Sequence, residues 1–199
     1  MTALPKAPQA VTSGSGPYRF TLDQYHRMID AGIFGDARCE LLEGLVVEKV
    51  THNPPHDAAI SLIQNQLIRR LPSQWLLRVQ SSIALEDSQP EPDLVVARGP
   101  ERRYSDHHPY PREIGLTIEV ADTTLAQDRV EKQRIYVAAR IPVYWVVNLI
   151  DRQVEVFAGP SAAGTPHYKK HDEFREGTRV PVVLKGVEVG RLAVRDMLP

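Results

Sequence analysis

The sequence predicts a mixed α/β (α+β) domain in which a central sheet is flanked by helices. Three observations support this prediction: a helical segment that follows Pro54-Pro55, three strand-like runs between residues 75 and 120, and a helical segment followed by a buried strand between residues 126 and 149. The order is therefore helix, three strands, helix, strand. Because no internal repeat or second domain is visible, we expect residues 18–199 to form one domain.

The composition sets limits on the function. Of the 199 residues, 42% are hydrophobic and 25% are charged, as in an ordinary globular domain. The net charge of -1 excludes the broad positive field of a strongly basic nucleic-acid or membrane binder. A single cysteine excludes a disulfide framework and a cysteine-based zinc cluster. No segment approaches the roughly 18 apolar residues of a membrane-spanning helix, so we expect a cytoplasmic protein without a membrane partner.

The N-terminal region contains a predicted tail and a first short helix. Residues 1–17 are rich in Pro, Gly, Ser and Ala, and we expect them to be disordered because they can bury little apolar surface. Thr21 is a predicted N-cap, and Gly32 is the predicted end of the helix. The apolar face of this helix is predicted to include Leu22, Tyr25 and Ile29.

A hairpin and a long helix are predicted next. The β-prone runs 40–42 and 45–50 flank Glu43-Gly44, which is typical of a two-residue turn. After Pro54-Pro55, apolar residues recur at intervals of three and four as far as Pro72, which predicts an amphipathic helix. Its predicted apolar positions are Ala59, Leu62, Ile63, Leu67 and Leu71.

Three strands follow, and a long polar loop separates the last two. The strand-like runs cover residues 76–85, 93–97 and 115–120. Residues 98–113 are longer than most connections in compact domains, so we interpret this loop as functional or mobile.

The C-terminal third contains a second helix and further strands. Residues 126–139 are predicted to be helical, with Val130, Ile135, Val137 and Ala138 at apolar positions. Residues 143–150 read as a buried strand, and 152–157 as its hairpin partner. Residues 166–199 are predicted to add short strands and a final helical turn at 194–198.

Two acidic residues are candidates for a metal site. Asp93 begins one predicted strand and Glu119 lies near the end of the next, so adjacent strands would place both carboxylates at one end of the sheet. Two carboxylates with an open face suit Mg²⁺, which keeps several waters and needs few protein ligands. Lys132, on the following helix, is a candidate to position a water or stabilise charge on phosphorus.

These residues resemble the Uma2 family of predicted endonucleases, within the restriction-endonuclease-like PD-(D/E)XK superfamily. The resemblance covers roughly residues 18–158 and rests on ELLEG at 40–44, PPH at 54–56, PDLVV at 92–96, IEVADTTLAQDRVEK at 118–132 and IPVYWVVNL at 141–149. It implies a restriction-endonuclease-like core with an N-terminal helix and hairpin and extra C-terminal strands. It also implies that Asp93 and Glu119 bind Mg²⁺, for which Mn²⁺ can substitute, and that no organic cofactor is used.

The chain departs from the superfamily at one informative position. The lysine expected two residues after the glutamate is replaced by Ala121, and the resemblance places the equivalent lysine on the helix as Lys132. Glu40 and His56 fall on family-typical positions, and the resemblance implies that Glu40 supports the metal site. We assign His56, Gln80 and Asp128 to substrate binding, with Gln80 projecting from the strand before Asp93.

Structural roles compete with these assignments. Asp93 is a common residue at a strand start or turn, and Lys132 has the spacing of a surface ion pair with Asp128. Glu119 is harder to explain structurally, because an unpaired charge in a buried strand is costly. Glu40 can be an exposed strand residue, whereas Gln80 can have a structural role in its strand.

Several other sites are weaker. His52 and His56 have the spacing of a helical zinc pair, but Pro54 and Pro55 prevent a regular helix from carrying both on one face. His107-His108 with Asp106 forms a further loop candidate. The sequence has no P-loop, dinucleotide fingerprint or nucleophile elbow. The short basic clusters are candidate phosphate contacts or solvated surface, and they comprise Arg69-Arg70 and Arg102-Arg103.

The sequence thus favours a Mg²⁺-dependent endonuclease that hydrolyses DNA with a metal-activated water. The alternative is a catalytically inactive protein of the same fold that binds nucleic acid or a protein partner. We also expect a homodimer, and a third hypothesis is a dimer module that uses the apolar strand 143–150 and its hairpin as the interface.

Overall fold

The computed structural model describes residues 16–49, 51–161 and 163–199, so most of the predicted tail at 1–17 lies outside the described residues. The helices and helical turns are α1 (Leu22–Asp30), α2 (Pro54–Ile68), two 3-10 turns (Glu101–Tyr104 and Pro111–Glu113), α3 (Leu125–Gln127), a π-helical turn (Asp128–Lys132), α4 (Gln133–Ala138) and a final 3-10 turn (Val194–Asp196). The strands are β1 (Cys39–Leu42), β2 (Leu45–Glu48), β3 (Trp75–Val79), β4 (Leu94–Arg98), β5 (Ile114–Ala121), β6 (Val143–Asn148), β7 (Gln153–Ser161), β8 (His167–Arg175), β9 (Arg179–Leu184) and β10 (Val187–Ala193).

A six-stranded mixed sheet in the order β3-β4-β5-β6-β7-β8 forms the centre of the domain. Strands β5 and β6 are parallel, and the other neighbouring pairs are antiparallel. The predicted order of helix, three strands, helix, strand is confirmed by α2, β3, β4, β5, the helical segment 125–138 and β6. The mixed sheet and flanking helices agree with the predicted fold class.

Two apolar layers cover the central sheet. On one face, α2 and the β9-β10 hairpin pack against alternate residues of β4 and β5, including Val96 and Ile118. On the other face, α4 and β1 pack against the intervening residues, including Val95 and Ala121. Because both faces are covered, β5 and β6 are buried along their whole length. A charged side chain in either strand therefore enters an environment with little water.

The N-terminal elements follow the sequence prediction closely. Thr21 caps α1 through a capping box in which its hydroxyl accepts from the Gln24 N–H and its own N–H donates to the Gln24 side chain. Gly32 has a φ of 68°, as a residue that ends a helix often does. Glu43 and Gly44 have φ values of 48° and 78°, which is the conformation that a tight hairpin turn requires.

The predicted apolar face of α2 is partly wrong. Ala59, Ile63 and Leu67 are buried as predicted, but Leu62 is 36% exposed and Ile60 is buried in its place. On a helix of 3.6 residues per turn, Ile60 lies next to Leu67 on one edge of the buried stripe, whereas Leu62 lies beyond Ala59 on the opposite edge. Spacing alone does not distinguish these two edges.

Two further element predictions need correction. The strand predicted over 76–85 ends at Val79, because Gln80 has a φ of 45° and turns the chain out of the sheet. The helix predicted over 126–139 is interrupted by a π-helical turn at Asp128–Lys132, and Val130 is 65% exposed rather than apolar core. Tyr136 is fully buried instead.

Strand β6 is itself unavailable as the hypothesised dimer interface, whereas dimerisation stays a prediction. Strand β6 is hydrogen-bonded on both sides, to β5 and β7, and all six of its residues are buried. It therefore has neither a free edge nor a free face with which to bind a second copy. Among the described residues, no helix has both the length and the apolar character needed to cross a membrane.

Candidate active site

The candidate site lies where the end of β5 meets the start of β4. The antiparallel register pairs Leu94 with Ile118, so Asp93, one residue before β4, lies beside Glu119. The Asp93 N–H donates to Glu119 Oε2 at 3.3 Å, and the Val120 N–H donates to Asp93 Oδ2 at 2.8 Å. Both acids are buried, with 4% and 5% of their surface exposed. The sheet thus brings the two predicted metal ligands together, and their roles stay a prediction.

Lys132 joins Glu119 to the N-terminal hairpin. It is buried, and its Nζ donates to Glu119 Oε1 and to Glu40 Oε1, each at 3.2 Å. The alternative of a surface ion pair with Asp128 is wrong, because Lys132 is buried and its Nζ contacts Glu119 and Glu40. Glu40, in β1, also accepts from the Glu91 N–H at 2.5 Å. It is therefore a buried residue and not the exposed strand residue that the sequence also allowed.

Tyr136 and Lys49 belong to this cluster but escaped the sequence analysis. The Tyr136 hydroxyl donates to Glu119 Oε1 at 2.5 Å, and Lys49 Nζ lies 3.8 Å from Glu40 Oε1. The sequence spacing could have predicted the position of Tyr136. It follows Lys132 by four residues, and residues four apart share a helix face. Lys49 had no comparable signal, since it lies on an exposed-looking strand.

The electrostatics of the two central acids differ. Burial raises the pKa of Glu119, and the charges of Asp93 and Glu40 add to this effect, so that Lys132 and the Tyr136 hydroxyl do not reverse it. Burial also acts on Asp93, but hydrogen bonds from His56 and Val120 outweigh it and lower the pKa of Asp93. The environment therefore disfavours ionisation of Glu119 and favours ionisation of Asp93.

Asp128 is a third acid whose environment resists ionisation. Burial, followed by the charge of Glu119, raises the pKa of Asp128 to about 7. Its Oδ2 accepts from the Thr124 hydroxyl at 2.7 Å.

For Lys132 the balance is reversed, because burial lowers its pKa but the charges of Glu119 and Glu40 outweigh burial and raise it. The lysine is therefore held in its charged form.

The two histidines lie on the same wall of the site, contrary to the expectation that they act separately. His52 precedes the Asn53 N-cap of α2, and His56 lies in the first turn, so no regular helix carries both. Their rings nevertheless stack, with centroids 4.1 Å apart. His56 Nε2 lies 3.2 Å from Asp93 Oδ2. Burial lowers the pKa of His56, but the hydrogen bond and charge of Asp93 outweigh it and raise the pKa.

A cleft of about 680 Å³, including its opening to solvent, lies over these groups. Six of the predicted site residues line it, whereas Gln80 does not and reaches it only through a 3.0 Å contact with His52 Nδ1. The titratable groups in its wall are Glu40, Glu48, Lys49, His52, His56, Glu91, Asp93, Glu119, Asp122, Asp128 and Lys132. Acidic groups outnumber lysines, so the cleft is suited to a cation.

The other candidates from the sequence do not join this cleft. His107 Nδ1 lies 2.7 Å from Asp106 Oδ1 and its ring stacks on Tyr110, within the loop that leaves the opposite end of β4. Arg103 pairs with Glu113 at 2.9 Å. Arg70 donates to the backbone and side chain of Gln66. These groups therefore stabilise local structure in the described part of the chain.

Comparisons with known proteins agree with this architecture. A sequence profile of the Uma2 family, described as "Putative restriction endonuclease", matches residues 22–195. A search of curated protein sequences found no match. Among solved structures, the chain is similar to the crystal structure of a "putative nuclease belonging to DUF820" from Anabaena variabilis, with a TM-score of 0.68 and 16% identity. The similarity covers 89% of this chain and 97% of the other, and it shows a shared fold.

Proposed function

The chain belongs to the Uma2 family, and from this premise we propose that it is a metal-dependent endonuclease that hydrolyses phosphodiester bonds in DNA. The observation that carries the proposal is the pair Asp93 and Glu119, buried side by side at the floor of an open acidic cleft. A buried pair of acids without a full set of cationic partners is costly unless a bound cation offsets it.

The donor set fits Mg²⁺, or Mn²⁺ in its place. Asp93 and Glu119 would hold the ion, since both offer carboxylate oxygens to the same cleft. When bound, such an ion polarises a phosphoryl oxygen and lowers the pKa of a water molecule. The raised pKa of Glu119 means that ion binding and proton release from this carboxyl are coupled.

Lys132 supplies the positive charge of the proposed site. Its ammonium group lies between Glu119 and Glu40, and burial keeps it from solvent. We assign it to orienting the attacking water and to stabilising negative charge that develops on the phosphoryl group. Glu40 anchors the lysine from β1, and the Tyr136 hydroxyl orients the Glu119 carboxylate.

The remaining predicted residues contact the cleft around this centre. His56, which hydrogen-bonds Asp93, and Asp128, whose pKa lies near neutrality, are proposed to contact the substrate or to exchange protons with it. Gln80 is proposed to act indirectly, by orienting His52. No organic cofactor is required by this chemistry.

Plasmid nicking tests the proposal. We expect purified protein to nick supercoiled DNA when Mg²⁺ or Mn²⁺ is present, and Glu119→Gln to reduce the rate by at least about 100-fold because one metal ligand is lost. The matched control is Glu155→Gln, which neutralises an equally buried glutamate outside the cleft. Equal nicking rates in wild type and Glu119→Gln, or nicking that does not depend on metal, would refute the proposal.

One observation favours the alternative of a nuclease-fold protein that binds without cleaving. Lys132 is engaged by two carboxylates, and Ala121 occupies the position where the superfamily has its lysine. In that case, labelled DNA or RNA should bind with micromolar affinity while no metal produces nicking. The homodimer stays a prediction, which light scattering after size-exclusion chromatography would test.

A further inference from the structure

Two histidine rings form one wall of the cleft beside Asp93. His52 lies in the extended segment before α2 and His56 in the first turn, and Asn53 caps the helix between them. The rings are stacked with an interplanar angle of 29°. Their side chains are 19% and 10% exposed, so both face the interior of the cleft more than bulk solvent.

The positions of the donor atoms suit a single ion. One ligand atom from each of His52, His56 and Asp93 lies within 4.8 Å of the other two. Two cis ligands at bond lengths of about 2.1 Å lie about 3 Å apart, and trans ligands about 4.2 Å apart. The 3.2 Å between His56 Nε2 and Asp93 Oδ2 already matches a cis pair. A small rotation of the His52 side chain would complete the set.

A few polar groups hold the two rings beside Asp93. Asp57 Oδ1 lies 3.5 Å from His52 Nδ1 and 3.8 Å from His56 Nδ1, so one carboxylate is near both outer nitrogens. Gln80 Nε2 lies 3.0 Å from His52 Nδ1, so the Gln80 amide can donate to that nitrogen. Within the described residues, buried His56 Nδ1 has no hydrogen-bond partner. In the metal-free site His56 Nε2 lies at hydrogen-bond distance from Asp93 Oδ2, and a bound ion would displace the proton between these two atoms.

We infer that the cleft binds a divalent transition ion through His52, His56 and Asp93, in preference to Mg²⁺. Imidazole nitrogen suits ions such as Zn²⁺, Co²⁺ and Ni²⁺, whereas Mg²⁺ takes oxygen ligands almost entirely. The catalytic use of this ion rests on the proposed function, but its binding depends only on these three side chains. Asp93 is shared with Glu119, so the nitrogen site would lie directly beside the proposed oxygen site.

Calorimetric titration of metal-free protein with Co²⁺ and with Mg²⁺ tests this inference. We expect wild type to bind Co²⁺ at least about tenfold more tightly than Mg²⁺. His52→Asn should weaken Co²⁺ binding by at least about tenfold and change Mg²⁺ binding by less than about twofold. His107→Asn is the matched control, because it removes a histidine that contacts Asp106 away from the cleft. It should leave both affinities unchanged.

A second measurement counts the nitrogen ligands by spectroscopy. Substoichiometric Cu²⁺ should give an electron paramagnetic resonance spectrum with couplings to two imidazole nitrogens, and His52→Asn should reduce these to one. The inference is overturned if Cu²⁺ shows no nitrogen coupling, if His52→Asn binds Co²⁺ like wild type, or if His107→Asn is the variant that loses Co²⁺.

The two proposals fail in different ways. If no ion supports nicking but Co²⁺ binding depends on His52, the metal site stands and the nuclease proposal fails. If Mg²⁺ supports nicking and His52→Asn retains Co²⁺ affinity, the nuclease proposal stands and the nitrogen site is refuted.

Discussion

Two buried glutamates, Glu119 in β5 and Glu155 in β7, occupy the same sheet with opposite electrostatics. Glu155 accepts two hydrogen bonds from Arg129, at 2.9 and 2.6 Å, and further bonds from Asn148 and Gln153. Burial raises its pKa, but these donors outweigh burial and lower it. For Glu119, burial and neighbouring acids prevail and the pKa is raised. Although both glutamates are buried, the hydrogen-bond donors around Glu155 therefore stabilise its ionised form, whereas the surroundings of Glu119 disfavour ionisation.

The difference lies in the donors and in the neighbouring charges. Around Glu155, the hydrogen bonds come from guanidinium and amide groups that do not lose protons near neutral pH. Around Glu119, the side-chain donors are an amine and a phenol, and Asp93, Glu40 and Asp128 compete for the same positive charge. A buried acid with fixed donors stabilises the fold, whereas a buried acid in an excess of acids indicates a site for a cation.

The largest expected effect comes from removing the central cation. Lys132→Met leaves Glu40 and Glu119 buried without their shared partner, and we expect a loss of about 3–5 kcal/mol in the free energy of unfolding. Urea denaturation in the presence of a chelator measures it. Arg129→Met is the matched control, and it should cost less because Arg129 is 38% exposed. Equal losses of unfolding free energy in the two variants would contradict the proposed difference between the surroundings of Glu119 and Glu155.

Asp128 gives a prediction of opposite sign. Its pKa is raised to about 7, so the folded state resists ionisation that the unfolded chain accepts near pH 4. The stability associated with protonated Asp128 is complete below about pH 4 and is lost as the pH rises through 7. Asp128→Asn should therefore exceed wild type by about 2–4 kcal/mol at pH 8. Urea denaturation at pH 8 and pH 4, with chelator, should show the gain only at the higher pH.

Much of the fold follows from local patterns in the sequence. The capping box at Thr21, the turn at Glu43-Gly44 and the buried strand that contains Glu119 each depend on a few neighbouring residues. The interruption of the helix at 128–132 does not, because a π-helical turn inserts one residue without changing the apolar spacing on either side. Lys132 precedes the buried Ile135 and Tyr136 by three and four residues and shares their face, whereas Val130 lies on the opposite face and is exposed.

The candidate site was predictable where residues share a strand or a motif. Asp93 and Glu119 were predicted to be neighbours because one strand begins where the adjacent strand ends. The side chains that contact them come from elements that are distant in the sequence. Lys49 reaches Glu40 and Glu91 only after the hairpin has packed on the sheet. The pairing of His52 with His56 was missed because a helix rule was applied to a segment that is helical only from Pro54 onward.

A smaller effect is expected from neutralising the satisfied glutamate. Glu155→Gln keeps the shape of the side chain but weakens its bonds with Arg129 and Asn148, and we expect a loss of about 1–3 kcal/mol. Thermal and urea denaturation measure the loss, and the nicking rate per folded molecule should stay unchanged. A 100-fold fall in that rate with folding intact would place Glu155 in the active site and remove the contrast with Glu119.

The smallest effect tests the tyrosine that donates to Glu119. Tyr136→Phe removes a hydrogen bond that favours the ionised carboxylate, so we expect a loss of about 1 kcal/mol at pH 8 and a smaller loss at pH 5, where Glu119 holds its proton more readily. Tyr144→Phe is the matched control, because that buried hydroxyl donates to the backbone carbonyl of Asp128 at 3.1 Å. A carbonyl does not titrate, so its loss should be equal at both pH values. If Tyr136→Phe were equally insensitive to pH, the Glu119 carboxyl would not titrate in this range. Such a result would refute the expected coupling between the Tyr136 hydrogen bond and the titration of Glu119.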